Sequence, residues 1–362
     1  MKIAIVNKHR QDKLGGSEIQ CDIIARKLVV FGHNVVYIAV GGSGEYQSEY
    51  SVIPVKDNIQ GIKKGIQRAA PDIVYWRFNK HFFYKSVQYI KSKKIPVVFA
   101  VSHIHDLEKW GAKAVSKEKP IWKRLAITII RSFESRKQHR GFPLVDGLVV
   151  NNKEFLKKSG HSNTRFIRSS SEVETVPFAH DKPYLVWISS LKPSKRPEVC
   201  LKLAQRIDNL NVDLLMFGEI QKDVYEYFRN HDLLPDNIKY MGKKPLKVVN
   251  GAIKHSIALL HTGEPEGFAN TFMQAWMLGK PVISYSYNPD SLLDGDQFGI
   301  CAENDFEVFV SSVQKMVIDP GIRKTLADNT QKFANEQFSP ERNVGQLEKF
   351  FEEILAKRKE DL

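Results

Sequence analysis

Short apolar runs alternate with amphipathic segments along the whole chain. In the first 150 residues, five apolar runs bounded by Gly, Pro or polar residues predict buried strands. Between them, apolar residues at helical spacing, such as Ile19, Ile23 and Ile24, predict helices that cover these strands. The strands are expected at residues 2–7, 33–40, 71–76, 96–101 and 146–151.

The second half of the chain repeats this alternation of strand and helix. Because strands separated by helices are joined by right-handed crossovers, each half is expected to form a parallel sheet. Ligands of such folds bind at the carboxyl ends of the strands. The expected strands are 184–188, 213–217, 238–242, 256–261 and 281–284, and the expected helices are 197–208, 223–230, 247–255, 271–278 and the segments from about 305 onward.

A polar, Ser-rich segment at residues 162–176 marks the expected boundary between two domains. The length of 362 residues also favours two domains. We expect an N-terminal domain at residues 1–165 and a C-terminal domain at residues 166–339. A final helical segment at residues 340–362 is expected to pack back toward the N-terminal domain.

The N-terminal part of the chain carries the net charge of +13. Residues 1–150 hold 26 Lys and Arg against 12 Asp and Glu, a net charge of +14. Residues 151–362 hold 28 against 29, a net charge of −1. This asymmetry indicates that one domain meets an anionic partner.

The number of cysteines and the length of the apolar runs indicate the cellular compartment of the protein. The three cysteines are far apart and no C-x-x-C occurs, which favours a reducing compartment over a disulfide framework or a zinc ribbon. The N-terminal apolar run is too short for a signal peptide, and no run approaches the ~18 residues of a membrane span. We therefore expect a cytoplasmic protein, or one peripheral to a membrane.

The most informative segment is residues 264–276, which predicts a strand end, a tight loop and the start of a helix. Asn270 is the expected N-cap, and Gly279 is the expected glycine after the helix. A helix N-terminus that follows a Gly-containing loop offers free N–H groups to a phosphate. Glu266 stands in the loop, where it could meet ligand hydroxyls. Phosphate and hydroxyls together indicate a nucleotide sugar.

With this motif the chain resembles the GT-B glycosyltransferases, in particular the retaining family 4 (group 1), over essentially its full length. The resemblance implies an α/β architecture of two Rossmann-like, doubly wound parallel-sheet domains that face a cleft. The family signature is a Glu, then seven residues, then a second Glu. In this chain the first position is Glu266 and the second is Gln274. The resemblance implies that Glu266 contacts the donor sugar and that Gln274 contacts the ribose. The same resemblance implies donor contacts from the loop groups of Gly267, Phe268, Ala269, Asn270 and Thr271.

A second family motif follows the first strand of the C-terminal domain. In the family, a Gly-Arg pair and a Lys bind the donor diphosphate; here Ser189 and Ser190 replace the pair, and Lys195 matches the Lys. Ser190 can donate a hydrogen bond to a phosphate but cannot neutralise it, so Arg196 or Lys192 is an alternative source of charge. Contacts to the base are expected largely from backbone groups near residues 218–219 and 241–243.

Two features of the N-terminal domain also match the family. Gly15 and Gly16 precede the first helix, where the resemblance implies close approach to the donor phosphates. They do not fit G-x-G-x-x-G, so a dinucleotide cofactor is not expected. His103 follows a strand at the position of a family His near the reacting sugar, with His105 as the alternative. The two His could instead hold zinc, but no third ligand supports a metal site; a loop His without a role is the other alternative.

Residues 109–140 combine basic and aromatic side chains. Such a segment suits either a helix on anionic headgroups or an amphipathic helix packed on the sheet. Nucleic acid could use the same charge, but no recognition motif is present. The residues expected to contact a membrane or the acceptor are Trp110, Trp122, Lys123, Arg124 and Arg131.

The resemblance implies a retaining, metal-independent transferase without a cofactor. Its implied partners are a UDP- or GDP-linked sugar and a glycan or polyprenyl-diphosphate-linked acceptor of cell-surface polysaccharide synthesis at the inner face of the membrane. Two alternatives stay open: a GT-B sugar-nucleotide epimerase, and a degenerate scaffold that partners an active transferase. The donor sugar, the base, the acceptor and the oligomeric state are not given by the sequence.

Overall fold

The computed structural model describes residues 1–13, 15–78, 82–102, 104–109, 120–264 and 268–360. The chain folds into two compact units, residues 1–170 with 340–362, and residues 171–339. The first unit thus runs past residue 165, because a strand at Thr164–Phe166 belongs to its sheet.

The described part of the first unit contains a seven-stranded parallel sheet of order β3-β2-β1-β4-β5-β6-β7. The strands are β1 Lys2–Asn7, β2 Asn34–Val40, β3 Ser51–Val55, β4 Ile73–Trp76, β5 Val97–Ala100, β6 Gly147–Val150 and β7 Thr164–Phe166. The helices up to residue 170 are α1 Gly16–Val30, α2 Ile59–Ala69, α3 Phe83–Ser92, α4 Ile104–Leu107, α5 Ile121–His139 and α6 Lys153–Lys158.

The described part of the second unit contains a six-stranded parallel sheet of order β10-β9-β8-β11-β12-β13. Its strands are β8 Tyr184–Ile188, β9 Asp213–Phe217, β10 Ile238–Gly242, β11 Leu259–His261, β12 Val282–Ser284 and β13 Gly299–Cys301. Its helices are α7 Glu198–Arg206, α8 Leu246–His255, α9 Asn270–Met277, α10 Phe306–Ile318 and α11 Pro320–Gln337. The last helix, α12 Pro340–Glu360, belongs to the first unit.

The central strands are buried on both faces, which explains why they are continuous apolar runs rather than alternating ones. Trp76 in β4 and Trp187 in β8 are almost fully buried. The strand order reverses beside β1 in the first sheet and beside β8 in the second. In doubly wound sheets, ligands bind at the carboxyl ends of the strands at such switch points. A ligand site is therefore expected at the loops after β1, β4, β8 and β11.

The helix α12 completes the core of the first unit. Val344, Leu347 and Phe351 are buried in the apolar cluster that contains Ile3 and Ile5 of β1. This burial ties the end of the chain to the first sheet, because exposing several large apolar side chains would cost several kcal/mol.

The sequence interpretation missed β13 at the edge of the second sheet, and it missed β3 and β7 of the first sheet. Strands β3 and β7 lie at the edges of the first sheet, are partly exposed, and carry Pro54 or Arg165, so they lack a buried strand's pattern. The helix expected at residues 223–230 is present as a 3₁₀ helix, Asp223–Arg229. Its two buried side chains, Tyr225 and Phe228, are three residues apart, the spacing that a 3₁₀ helix places on one face.

Candidate active site

The loops after β8 and β11 are joined by direct hydrogen bonds at the switch point of the second sheet. Thr262 donates its hydroxyl to the carbonyl of Lys195 at 2.6 Å and accepts from the Trp187 indole N–H at 2.9 Å. The backbone N–H of Glu264 donates to the carbonyl of Ser194 at 2.9 Å. The segment that carries Lys195 is therefore fixed against the segment that leads into α9.

Arg196 strengthens this junction. Its Nε donates to the Thr262 carbonyl at 2.7 Å, and its Nη2 donates to the Gly263 carbonyl at 3.2 Å and to the Ser286 hydroxyl. Its Nη1 donates to the Asn304 side chain at 3.1 Å. The guanidinium also lies over the Tyr285 ring, 5.0 Å from the ring centroid. Arg196, one of the two alternative sources of phosphate-binding charge, thus has its donors directed to the loop backbone and to neighbouring side chains.

Lys195 itself lies in a short 3₁₀ helix, Pro193–Lys195, and is half-buried. A Cβ on Gly263 would lie 3.1 Å from the Cδ of Lys195, so the lysine stem packs closely against this glycine. Gly263 therefore leaves room for the lysine beside the loop that precedes α9. The position of Lys195 suits a cation that pairs with an anion bound at the start of α9.

The start of α9 differs by one residue from the sequence expectation. The N-cap is Ala269, which has an extended conformation, and Asn270 is the first residue of the helix. No side chain caps this helix start with a hydrogen bond. Phe268 and Ala269 are buried, and the Phe268 ring centroid lies 5.6 Å from that of Phe338. This packing makes the helix begin one residue earlier than expected. The prediction of Asn270 as N-cap was wrong. Asn270 and Thr271 are half-buried, and the first helical N–H groups lack partners within the helix.

Gln274 is buried inside the second unit, 9% exposed. Its Nε2 donates to the Oδ1 of Asn250 at 3.2 Å, and the Nδ2 of Asn250 donates to the Glu174 carbonyl at 2.9 Å. An amide fits this chain of donors and acceptors, whereas a carboxylate at position 274 would face the Asn250 oxygen. The neighbour on α8 thus accounts for the amide where the family pattern has a carboxylate.

The segments expected near the base lie side by side at the ends of β9 and β10. The Gly218 N–H donates to the Gly242 carbonyl at 3.0 Å, and Lys243 pairs with Glu219 at 3.5 Å. Gly218 has a φ of 150° and crosses directly over the backbone of Ser189, where a Cβ would overlap the Ser189 carbonyl oxygen. Ser190, half-buried, follows in the same loop.

In the first unit, Gly15 and Gly16 form the start of α1. Gly15 is the extended N-cap residue, and the Glu18 carboxylate folds back so closely that a Cβ on Gly15 would collide with it. Ser17 accepts from the Asn7 side chain at 3.0 Å, which ties the helix start to the end of β1. The glycine loop therefore lies at the switch point of the first sheet.

A buried polar network that the sequence interpretation missed holds the same loop. His9 is fully buried, and its Nε2 lies 3.1 Å from the Tyr50 hydroxyl, which donates to Asp22 at 2.6 Å. The Gln11 N–H donates to Nδ1 of His9 at 3.3 Å. Burial lowers the pKa of His9 despite the nearby Asp22 and Asp12. A lone His two residues after β1 was the only sequence signal for this network.

Several candidate residues cannot be placed. Glu266, Gly267, His103 and Trp110 lie outside the described residues, and only the backbone of His105 is described, in α4. Among the described residues, no group of three His, Cys, Asp or Glu could hold a metal ion.

The helix α5 exposes a continuous apolar face. Trp122, Leu125 and Phe133 are at least 60% exposed, and Ile129 lies on the same face. Lys123 lies over the Trp122 ring at 5.1 Å from its centroid. Within the described residues, no helix combines the length and the apolar character needed to cross a bilayer.

Two parallel-sheet, Rossmann-like units define an α/β protein with the GT-B fold. Sucrose-phosphate synthase from Thermosynechococcus elongatus has a TM-score of 0.75 at 14% identity, covering 98% of this chain and 99% of that chain. HepE of Anabaena, in complex with UDP and glucose, has a TM-score of 0.73 at 15% identity, covering 98% and 100%. At these identities the likeness establishes the fold, and the predicted GT-B fold is confirmed.

Residues 170–333 match the family model of the glycosyl transferases group 1. The capsular polysaccharide biosynthesis glycosyltransferase CapM of Staphylococcus aureus is 27% identical over 92 residues, which are 25% of this chain and 24% of that relative. The match thus spans about a quarter of the curated relative. The predicted resemblance to group 1 glycosyltransferases is confirmed over the second unit.

Proposed function

We propose that this protein is a retaining glycosyltransferase that moves a sugar from a nucleotide diphosphate to a glycan or lipid-linked acceptor. The observation that carries the proposal is the junction of the Lys195 loop with the loop that enters α9, held by Thr262 and Arg196. This junction brings a cation and a helix N-terminus together at the carboxyl ends of neighbouring strands, an arrangement that suits a diphosphate.

The proposed chemistry uses the diphosphate as the leaving group. The bond between the sugar's anomeric carbon and the diphosphate oxygen breaks, while the acceptor hydroxyl bonds to the same face of that carbon. The acceptor's proton passes to the departing diphosphate. Lys195 and the N–H groups of Phe268 to Thr271 offset the charge that develops there. In this proposal Glu266 binds the sugar hydroxyls, His103 lies near the reacting carbon, and no metal or cofactor is needed.

The donor is proposed to be a UDP- or GDP-linked sugar. The base is proposed to contact backbone groups of the adjacent segments 218–219 and 241–243, and the ribose is proposed to contact the amide oxygen of Gln274, whose Nε2 is bonded to Asn250. The UDP and glucose bound to the structurally similar HepE support a sugar nucleotide on this fold. In the first unit, the start of α1 at Gly15 and Gly16 is the proposed contact with the donor phosphates.

The acceptor is proposed to be a glycan growing on a polyprenyl diphosphate at the inner face of the membrane. The description of CapM as a capsular polysaccharide enzyme supports a polysaccharide product. The exposed apolar face of α5, flanked by Lys123, Arg124 and Arg131, is the proposed contact with anionic headgroups.

Turnover of a panel of nucleotide sugars tests the proposal. We expect Glu266→Ala to abolish transfer and Lys195→Ala to lower kcat about 100-fold, the usual scale for losing one charge-stabilising group. Lys182→Ala, which removes an exposed lysine of the same unit, is the control and should retain full turnover.

The products separate the rival functions. Conversion of the nucleotide sugar without any acceptor would identify an epimerase instead. Normal turnover in Glu266→Ala would overturn the site assignment, and a wild-type protein without turnover or nucleotide binding would be a scaffold.

A further inference from the structure

Asn250 is a buried polar residue of α8 that contacts the proposed ribose-binding side chain. It is 1% exposed, and both ends of its amide are hydrogen-bonded. Its Nδ2 donates to the Glu174 carbonyl at 2.9 Å, and its Oδ1 accepts from Nε2 of Gln274 at 3.2 Å. Because a buried amide that loses its partners is costly, these two bonds hold the Asn250 side chain in one orientation.

The direction of these hydrogen bonds is set by the Glu174 carbonyl. A backbone carbonyl can only accept, so Asn250 must turn its Nδ2 toward Glu174 and its Oδ1 toward Gln274. If the Asn250 amide were turned over, two oxygens would face each other at Glu174. Gln274 in turn must present its Nε2 to Asn250. The Oε1 of Gln274 is therefore the side-chain atom that can accept a hydrogen bond from a ligand.

The segment that carries Glu174 is held closely against α8. The Val176 N–H donates to the Lys247 carbonyl at 3.2 Å, and the Nζ of Lys247 lies 2.5 Å from the Glu174 carboxylate. A Cβ on Gly251 would lie 2.3 Å from the Val176 carbonyl oxygen, so this close approach requires a glycine in α8. The Glu174 carbonyl thus has a fixed position, and it fixes the orientation of both amides.

We propose that Asn250 is a positioning residue for the ribose of the donor. It holds Gln274 so that Oε1 accepts hydrogen bonds from the ribose hydroxyls. This inference rests on the proposed function, in which Gln274 contacts the ribose. Asn250 acts through Gln274, because its own Oδ1 and Nδ2 are buried and bonded within the second unit. A nucleotide with ribose hydroxyls is therefore preferred over one without them, and this preference depends on Asn250.

Binding of nucleotides with and without the ribose hydroxyls tests this role. The full chain is titrated calorimetrically with UDP and GDP, and then with the dideoxy form of whichever nucleotide binds. We expect the wild type to prefer the ribonucleotide about tenfold, the scale of one hydrogen bond to a ligand. Asn250→Leu should bind the ribonucleotide about tenfold more weakly, and the dideoxy form as tightly as the wild type does. A merely structural loss would weaken the binding of both forms alike.

Two further variants control the experiment. Asn237→Leu removes a similar hydrogen bond in the same unit, from Nδ2 to the Ala204 carbonyl at 2.8 Å, and should keep wild-type affinity for both forms. Asn250→Asp keeps an acceptor oxygen for Nε2 of Gln274 and should keep the preference for the ribonucleotide. If Asn250→Leu does not fold, Asn250→Asp and the wild type decide.

Three outcomes would overturn the inference while leaving the proposed function intact. These are equal binding of both forms by the wild type, an unchanged preference in Asn250→Leu, and a lost preference in Asn250→Asp. Binding of neither UDP nor GDP to the wild type would contradict the proposed function itself, and this inference would fail with it.

Discussion

At the residue scale, two positions of the proposed donor site differ from the family pattern, and contacts in the structure explain one of them. The sequence shows an amide at position 274 and a serine at position 190, both of which lower the formal charge available to a donor. The structure gives a reason for the first, since the acceptor oxygen of Asn250 requires a donor from Gln274. It also shows Arg196 directed to the loop backbone, a contact between residues 66 positions apart that sequence spacing could not predict.

Gly218 provides a sharp residue-scale prediction about stability. We expect Gly218→Ala to lower the free energy of unfolding by roughly 2–4 kcal/mol, because the new Cβ overlaps the Ser189 carbonyl at a φ of 150°. Gly295→Ala is the matched control: its φ of 71° is also positive, but nothing lies within 4 Å, so the cost should be about 1 kcal/mol. Urea denaturation measures both, and equal losses would contradict the close approach of the two loops.

At the element scale, the buried strands were predictable, whereas several edge strands were not. Strands β1, β8 and β9 have the expected positions because burial on both faces demands continuous apolar residues. The edge strand β10 was also predicted, although it is only partly buried. The edge strands β3 and β7 were not predicted because partly exposed strands lack a continuous run of apolar residues. The loop after β1 was predictable as a glycine loop, but the buried His9 network that holds it depends on Tyr50 and Asp22, which are distant in sequence.

The His9 network predicts a pH dependence of stability. Burial lowers the pKa of His9, so below its unfolded value of about 6.5 the unfolded chain binds a proton that the folded chain does not. The free energy of unfolding should therefore decrease as the pH is lowered below about 6.5. This group contributes at most about 1.4 kcal/mol per pH unit to the decrease. Thermal unfolding of wild type and His9→Gln between pH 7.5 and 5.5 measures the effect. The same pH dependence in both proteins would exclude His9 as the cause.

The exposed face of α5 predicts binding to anionic vesicles. We expect Trp122→Ser combined with Phe133→Ser to weaken sedimentation with anionic vesicles at least tenfold, because apolar insertion and charge act together. Leu233→Ser, which removes a similarly exposed apolar residue of the second unit, should bind like wild type. Wild-type binding that is equal for neutral and anionic vesicles would contradict the role of the basic residues.

At the scale of the whole molecule, the two-unit α/β organisation follows from the alternation of strands and helices, and the GT-B fold confirms it. The resemblance predicts a donor site in the loop after β8 and at the start of α9, while the contacts between these loops could not be predicted from the sequence. Lys195 and Thr262 are 67 residues apart in the chain, and the fold joins them by a hydrogen bond. The same fold buries Arg77 and Arg168, which no pattern in the sequence indicated.

The central claim is that the second unit binds the diphosphate of a nucleotide sugar between Lys195 and the start of α9. Calorimetric titration of the full chain with UDP and with GDP tests this claim most directly. We predict saturable binding of one of them at one site per chain, weakened at least tenfold in Lys195→Ala and unchanged in Lys182→Ala. Undiminished binding in Lys195→Ala, or no binding of either nucleotide to the wild type, would contradict the account.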